Sequence, residues 1–116
     1  MLSDEHRYKL LHLLEKDPRL SQRALASQLG LSLGKVNFLV QALIEKGLIK
    51  AQNFRNSQNK SAYMYYLTPK GMKDKTRVTV RFFQRKLAEY EQLKAEVEAL
   101  RRDAERARVE HAGRGP

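Results

Sequence analysis

Apolar positions along the chain change their spacing from block to block, and each spacing predicts an element. Leu10, Leu11, Leu13 and Leu14 supply the apolar face of a first helix. Ser3 is placed to cap it, Asp4 and Glu5 suit its positive end, and Asp17-Pro18 stops it. Ser21 caps a shorter second helix through Leu29, with Gly30 as the left-handed residue after it. Two residues on, Ser32 caps a third helix, in which Val36, Leu39, Val40, Leu43 and Ile44 share one face before Gly47 ends it. Leu48 to Asn53 and Ala62 to Leu67 read as strands, separated by the polar, turn-rich stretch from Phe54 to Ser61, and so form a long-looped hairpin. Thr68-Pro69 opens a last helix that nothing interrupts until about Glu110 except Gly71 in its first turn. His111 to Pro116 reads as a frayed, disordered tail.

Two short helices joined by a tight glycine turn and followed by a hairpin make a winged helix-turn-helix. Ala24 lets the two helices approach, while Leu25, Leu29, Val36, Leu39 and Leu43 fill the wedge between them. The fold expected is mainly α with a small β-hairpin: a winged helix-turn-helix domain over 1–68, a long C-terminal coiled-coil helix over 69–110, and the tail 111–116. Tyr63, Tyr65 and Leu67 alternate onto one strand face, with Met64 and Tyr66 on the other. Most of these side chains are therefore expected to pack the wing onto the helices rather than to stack on single-stranded bases.

Charge sharpens that picture through its placement. The net charge is +10, and between Pro18 and Lys73 nine Lys and Arg residues meet one acid, Glu45. From Leu87 to Glu110 the signs mix, five Lys/Arg against seven Asp/Glu, as on an ordinary solvated face. An acid-free stretch within a folded domain points to a polyanionic partner, double-stranded DNA above all. Seven positives against one Asp from Lys70 to Lys86 extend this expectation to the base of the last helix.

On that reading the third helix enters a major groove with its N-terminal half facing bases. The residues its core face leaves over are Ser32, Leu33, Gly34, Lys35, Asn37, Phe38 and Gln41. Lys35 can donate to guanine or phosphate, and Asn37 and Gln41 can make paired contacts to adenine. Phe38 either touches thymine methyls or packs against the wing or the first helix. Ser21, Gln22 and Arg23, at the positive end of the second helix, suit a phosphate. Arg55, Asn59 and Lys60 at the hairpin tip suit backbone or minor-groove contact.

A helix of some 40 residues extends about 60 Å, more than a domain of this size can cover. Val80, Phe83, Leu87 and Tyr90 follow coiled-coil spacing, and Leu93, Val97, Leu100, Ala104 and Ala107 resume it after a slip of one residue. The seam is then overwound locally, or its two halves face different surfaces. Self-association through Val80, Phe83, Leu87, Tyr90, Leu93, Val97 and Leu100 is the natural cover, since a two-fold dimer offers two recognition helices to a palindrome.

Gly30-Leu31-Ser32, the run Leu43-Ile44-Glu45-Lys46-Gly47-Leu48-Ile49 and the junction Tyr66-Leu67-Thr68-Pro69-Lys70-Gly71 resemble the MarR-type winged helix-turn-helix transcriptional regulators. The run Asn59 to Gly71 and the segment Phe83 to Leu93, with Arg85-Lys86-Leu87-Ala88-Glu89-Tyr90-Glu91, look like the small exopolysaccharide (EPS)-associated subgroup. The resemblance covers nearly the whole chain and implies dimeric transcriptional control, with polysaccharide export genes as the targets. Three departures stand out. The larger family has a further N-terminal helix that helps form the dimer and a small-molecule pocket, whereas here the first helix of the DNA-binding domain begins at Ser3, which argues against a phenolic effector. The family's wing Asp-Arg pair is Asn59-Lys60 here, and a common recognition-helix Arg is Phe38.

Other classes are weaker. There is no cysteine, the three histidines at 6, 12 and 111 lack metal-ligand spacing, and no phosphate loop or nucleophile elbow is present, so neither enzyme, metal nor cofactor is expected. No apolar run approaches the roughly 20 residues of a membrane span. The acidic start Ser3-Asp4-Glu5 does not read as a signal peptide, and a cytoplasmic location is expected. Two alternatives survive: a winged-helix module that docks to another protein, and an architectural or plasmid-partition DNA-binding protein without promoter control.

Overall fold

The computed structural model describes the backbone of residues 3–55 and 61–113 and the side chains of 3–53 and 63–112. In chain order it contains α1 (Asp4–Lys16), α2 (Gln22–Leu29), α3 (Leu33–Glu45), β1 (Ile49–Arg55), β2 (Ser61–Leu67) and α4 (Pro69–Gly113). Three serines start the first three helices in the same way. The Ser3, Ser21 and Ser32 hydroxyl oxygens accept from the amides of His6, Ala24 and Lys35 at 3.0, 3.0 and 3.1 Å, each satisfying a donor that the helix leaves unpaired. Gly30 (φ 68°) and Gly47 (φ 73°) turn the chain out of α2 and α3 in the left-handed region that other residues rarely adopt.

β1 and β2 pair antiparallel from Ile49↔Leu67 to Arg55↔Ser61. The first strand begins one residue later than the apolar pattern suggests, because the Leu48 amide still donates to the Leu43 carbonyl at 2.9 Å and belongs to the end of α3. On the other edge of β2, the Tyr65 amide donates to the Pro18 carbonyl at 3.0 Å, tying the hairpin to the loop between α1 and α2. The core lies among these elements: Leu10, Leu11 and Leu14 of α1, Leu25 of α2, Val36, Leu39, Val40 and Leu43 of α3, Leu48, Ile49 and Tyr65. Tyr63 departs from expectation. Although it shares a strand face with Tyr65 and its ring stacks on that of Tyr65, it stays exposed, because it lies farther from the base of the hairpin.

The Thr68 hydroxyl donates to the Gly47 carbonyl at 2.6 Å and accepts from the Gly71 amide, so one side chain both closes α3 and opens α4. Gly71 lies against the Leu48 backbone, where any Cβ would overlap the Leu48 carbonyl oxygen. The glycine in this first turn is therefore required by close approach, and the helix passes through it.

The chain forms two compact units, one up to Phe82 and the other from Phe83 onward. The first takes in the opening turns of α4, beyond the boundary expected at 68. Val78 is fully buried there, and the Asp74 carboxylate, 2% exposed, is held by Arg77 at 2.7 Å and faces Arg7 of α1 at 3.4 Å. Lys75 pairs with Glu15 at 2.8 Å, Arg81 with Asp4 at 3.0 Å, and the Tyr8 and Phe82 rings meet at 5.4 Å. In the second unit every described side chain is exposed, and helix persists through His111 to Gly113, where a frayed tail was expected.

Candidate nucleic-acid interface

α3 presents two unlike faces. Val36, Leu39, Val40 and Leu43 are buried, while Ser32 before the helix and Leu33, Gly34, Lys35, Asn37, Phe38 and Gln41 on it are all exposed. The division follows from helical spacing: positions three and four apart fall on the core side, and those between them face water.

Phe38 is a large apolar side chain on the exposed face. It is 55% exposed, and the Lys35 ammonium lies 5.7 Å from its ring centroid. The cation beside the ring partly offsets its exposure, and the apolar ring is available to a groove wall.

Gln22 plays a role that its position at the start of α2 did not reveal. Its side-chain amide donates to Asn37 Oδ1 at 3.3 Å and to the Tyr65 hydroxyl at 3.2 Å, linking α2, α3 and β2. Asn37 keeps a second lone pair on Oδ1 and both hydrogens on its own amide. Gln41, Ile44, Ala51 and Tyr63 complete the cleft around this bridge, about 310 Å³ in volume. The bridge joins residues 15 and 43 positions apart, so no local pattern could have signalled it.

Ser21 and Arg23 are exposed and Gln22 is half-buried. The Ser21 and Ser32 oxygens are occupied as caps, which leaves each hydroxyl hydrogen able to donate outward. Of the wing-tip positions, Asn59 and Lys60 lie outside the described residues, and Arg55 is described only in its backbone, at the end of β1.

The basic base of α4 is largely spoken for within the chain. Lys70 donates to the Lys46 carbonyl at 2.9 Å, Lys75, Arg77 and Arg81 hold Glu15, Asp74 and Asp4, and Lys86 pairs with Glu89. Two of these pairs, Lys75 with Glu15 and Arg81 with Asp4, fasten α4 to α1.

Among the described residues there is no cluster of three or more metal-ligating side chains, and no helix is long and apolar enough to cross a membrane.

Residues 3–50 match the family described as winged helix-turn-helix DNA-binding. No curated protein sequence matches the chain. Among solved structures, the PcaV transcriptional regulator from Streptomyces coelicolor in complex with its natural ligand is similar, with 25% identity, 91% of this chain and 74% of that one covered, and a TM-score of 0.64. A PadR-like transcriptional regulator from Bacillus cereus shares the fold at 15% identity, with 75% and 89% covered and a TM-score of 0.67. MarR from Staphylococcus aureus, solved with salicylate and kanamycin, does so at 20% identity, with 71% and 53% covered and a TM-score of 0.53. With the matched helices in place and the β1–β2 hairpin following them, this part of the chain has the winged helix-turn-helix fold.

Proposed function

We propose that the chain is a transcriptional regulator that binds duplex DNA as a homodimer. The observation that carries this reading is the exposed face of α3: Lys35, Asn37, Phe38 and Gln41 turned to water from a stretch in which Glu45 is the only acid. In the bound state α3 lies in the major groove. Lys35 donates to guanine or phosphate, Asn37 and Gln41 read adenine, and Phe38 meets thymine methyls, with Leu33 and Gly34 at the groove edge. Ser21, Gln22, Arg23 and Ser32 take phosphates at the two helix starts, and Arg55, Asn59 and Lys60 reach the backbone from the wing. Dimerisation through Val80, Phe83, Leu87, Tyr90, Leu93, Val97 and Leu100 is supported by the exposure of every one of them. The resemblance to the exopolysaccharide-associated subgroup makes polysaccharide export genes the proposed targets, and a cytoplasmic site of action follows from that role. No small-molecule effector is part of this reading.

Affinity for duplex DNA measured against salt tests it. Log K should fall linearly with log salt, with a slope of about −0.9 per phosphate neutralised. Footprinting on the DNA upstream of the chain's own gene should then show protection of a palindromic site. Binding that ignores salt, or no binding at low salt, would favour a protein partner instead. Salt-dependent binding without any protected site would favour an architectural or partition role.

A further inference from the structure

We propose that the two copies pair through antiparallel α4 helices, with Leu87 of one opposite Tyr90 of the other and Val80 opposite Val97. This rests on the homodimer reading above and adds its direction. If Val80 and Leu87 are heptad a positions, and Phe83 and Tyr90 are d, then the later a positions are Lys94, Arg101 and Arg108. All three are exposed. A parallel, in-register pair would set each of them against its own counterpart, three like-charged layers in succession. It would also lay the apolar g positions Leu93 and Leu100 beside the e-position acids Glu98 and Glu105.

The antiparallel pair removes both conflicts. Leu87 meets Tyr90, Val80 meets Val97, and Lys94 lies over the Phe83 ring, where a cation is welcome. Its g positions face one another, so Leu93 covers the Lys86 stem and Leu100 covers Thr79. Its e positions do likewise and bring Glu98 to Arg77, which is exposed on the side away from Asp74, and Glu91 to Gln84. The one-residue slip in the apolar pattern after Tyr90 thereby gains a reason. The first half of the seam is built on a and d, the second on d and g, and each half is the other's complement only when the second copy runs the opposite way.

The groove between α1 and α4 is an independent support. It has a volume of about 300 Å³ and is lined by Met72, Thr76, Thr79 and Val80, with Glu15 and Lys75 at its edge. The antiparallel register lays Val97, Leu100 and Ala107 of the second copy against Val80, Thr79 and Met72, and its Arg101 against Thr76 beside Glu15.

The absence of cysteine makes the test direct. Val80→Cys and Val97→Cys are prepared separately, oxidised mildly alone and as an exchanged mixture, and run on a non-reducing gel. In the antiparallel pair Val97 lies about 25 Å along the axis from its own counterpart, far beyond the roughly 7 Å that a disulfide spans. Neither variant should link by itself, and the mixture should give a covalent dimer. Phe83→Cys mixed with Lys94→Cys should do the same, which guards against one substitution disturbing the helix. A covalent dimer from Val97→Cys alone would overturn the proposal in favour of parallel pairing and leave the homodimer intact. No link from either mixture in a protein that sediments as a dimer would also overturn it and place the interface elsewhere. A wild-type chain that sediments as a monomer would remove the homodimer reading itself, which duplex binding by that monomer would show to be separate from DNA recognition.

Discussion

α3 and the distal part of α4 carry the same kind of apolar spacing and meet opposite ends. In α3 the periodic residues Val36, Leu39, Val40 and Leu43 are buried by α1, α2 and the hairpin. In α4 the residues Phe83, Leu87, Tyr90, Leu93, Val97 and Leu100 are all exposed. Periodicity therefore specifies a face, while the rest of the chain decides whether that face is covered from within. A helix that finds no cover in its own chain is an instruction about another molecule.

Substitutions on the two faces should separate sharply. Leu43→Ala removes a fully buried side chain and should cost the winged unit about 2–5 kcal/mol in urea unfolding. Leu100→Ala should leave that unfolding within about 0.5 kcal/mol and instead weaken the dimer in sedimentation equilibrium. Equal losses from both would erase the contrast.

Gly71→Ala comes next. Its Cβ would meet a backbone carbonyl rather than a yielding side chain, so we expect about 1–3 kcal/mol of destabilisation, read by thermal or urea unfolding. An unchanged midpoint would mean that α4 starts elsewhere. Lys35→Ala and Asn37→Ala should each cost about 1–3 kcal/mol against the preferred base pair and flatten discrimination at one position, whereas Arg23→Ala should weaken all duplexes alike. Competition binding with single-base operator variants distinguishes the two patterns. Ser32→Ala removes a cap and should cost about 1 kcal/mol, a fall of roughly 4–8 °C in Tm for a domain of this size. Smallest of all, Phe38→Ala should change stability by less than about 0.5 kcal/mol because the ring is already in water. Its effect belongs in binding to thymine-containing sites.

The winged unit was legible wherever its determinants are local. Ser3, Ser21 and Ser32 announce their helices because a cap acts over three residues, and the exposed set on α3 follows from the buried one. Phe38 stayed ambiguous because spacing says which way a ring points and not whether something stands in front of it. Asp74 was hidden in a basic run. Its burial depends on α1 lying against α4; Arg77 is its neighbour by helical spacing, but only the packed structure brings Arg7 to it. That same packing gives part of the positive charge at the start of α4 partners within the chain. A lysine's sequence neighbourhood does not reveal a carboxylate 60 positions away, as between Lys75 and Glu15.

The Gln22 bridge has a consequence for how the head of the molecule meets a base. One amide nitrogen, with two hydrogens to give, holds Asn37 with one and Tyr65 with the other. In the proposed complex, an Asn37 turned toward an adenine would free Gln22 on that side only, leaving its bond to Tyr65 and one hydrogen for a phosphate oxygen. On that proposal, reading a letter and clasping the strand beside it would be a single exchange of partners, made without loosening the wing.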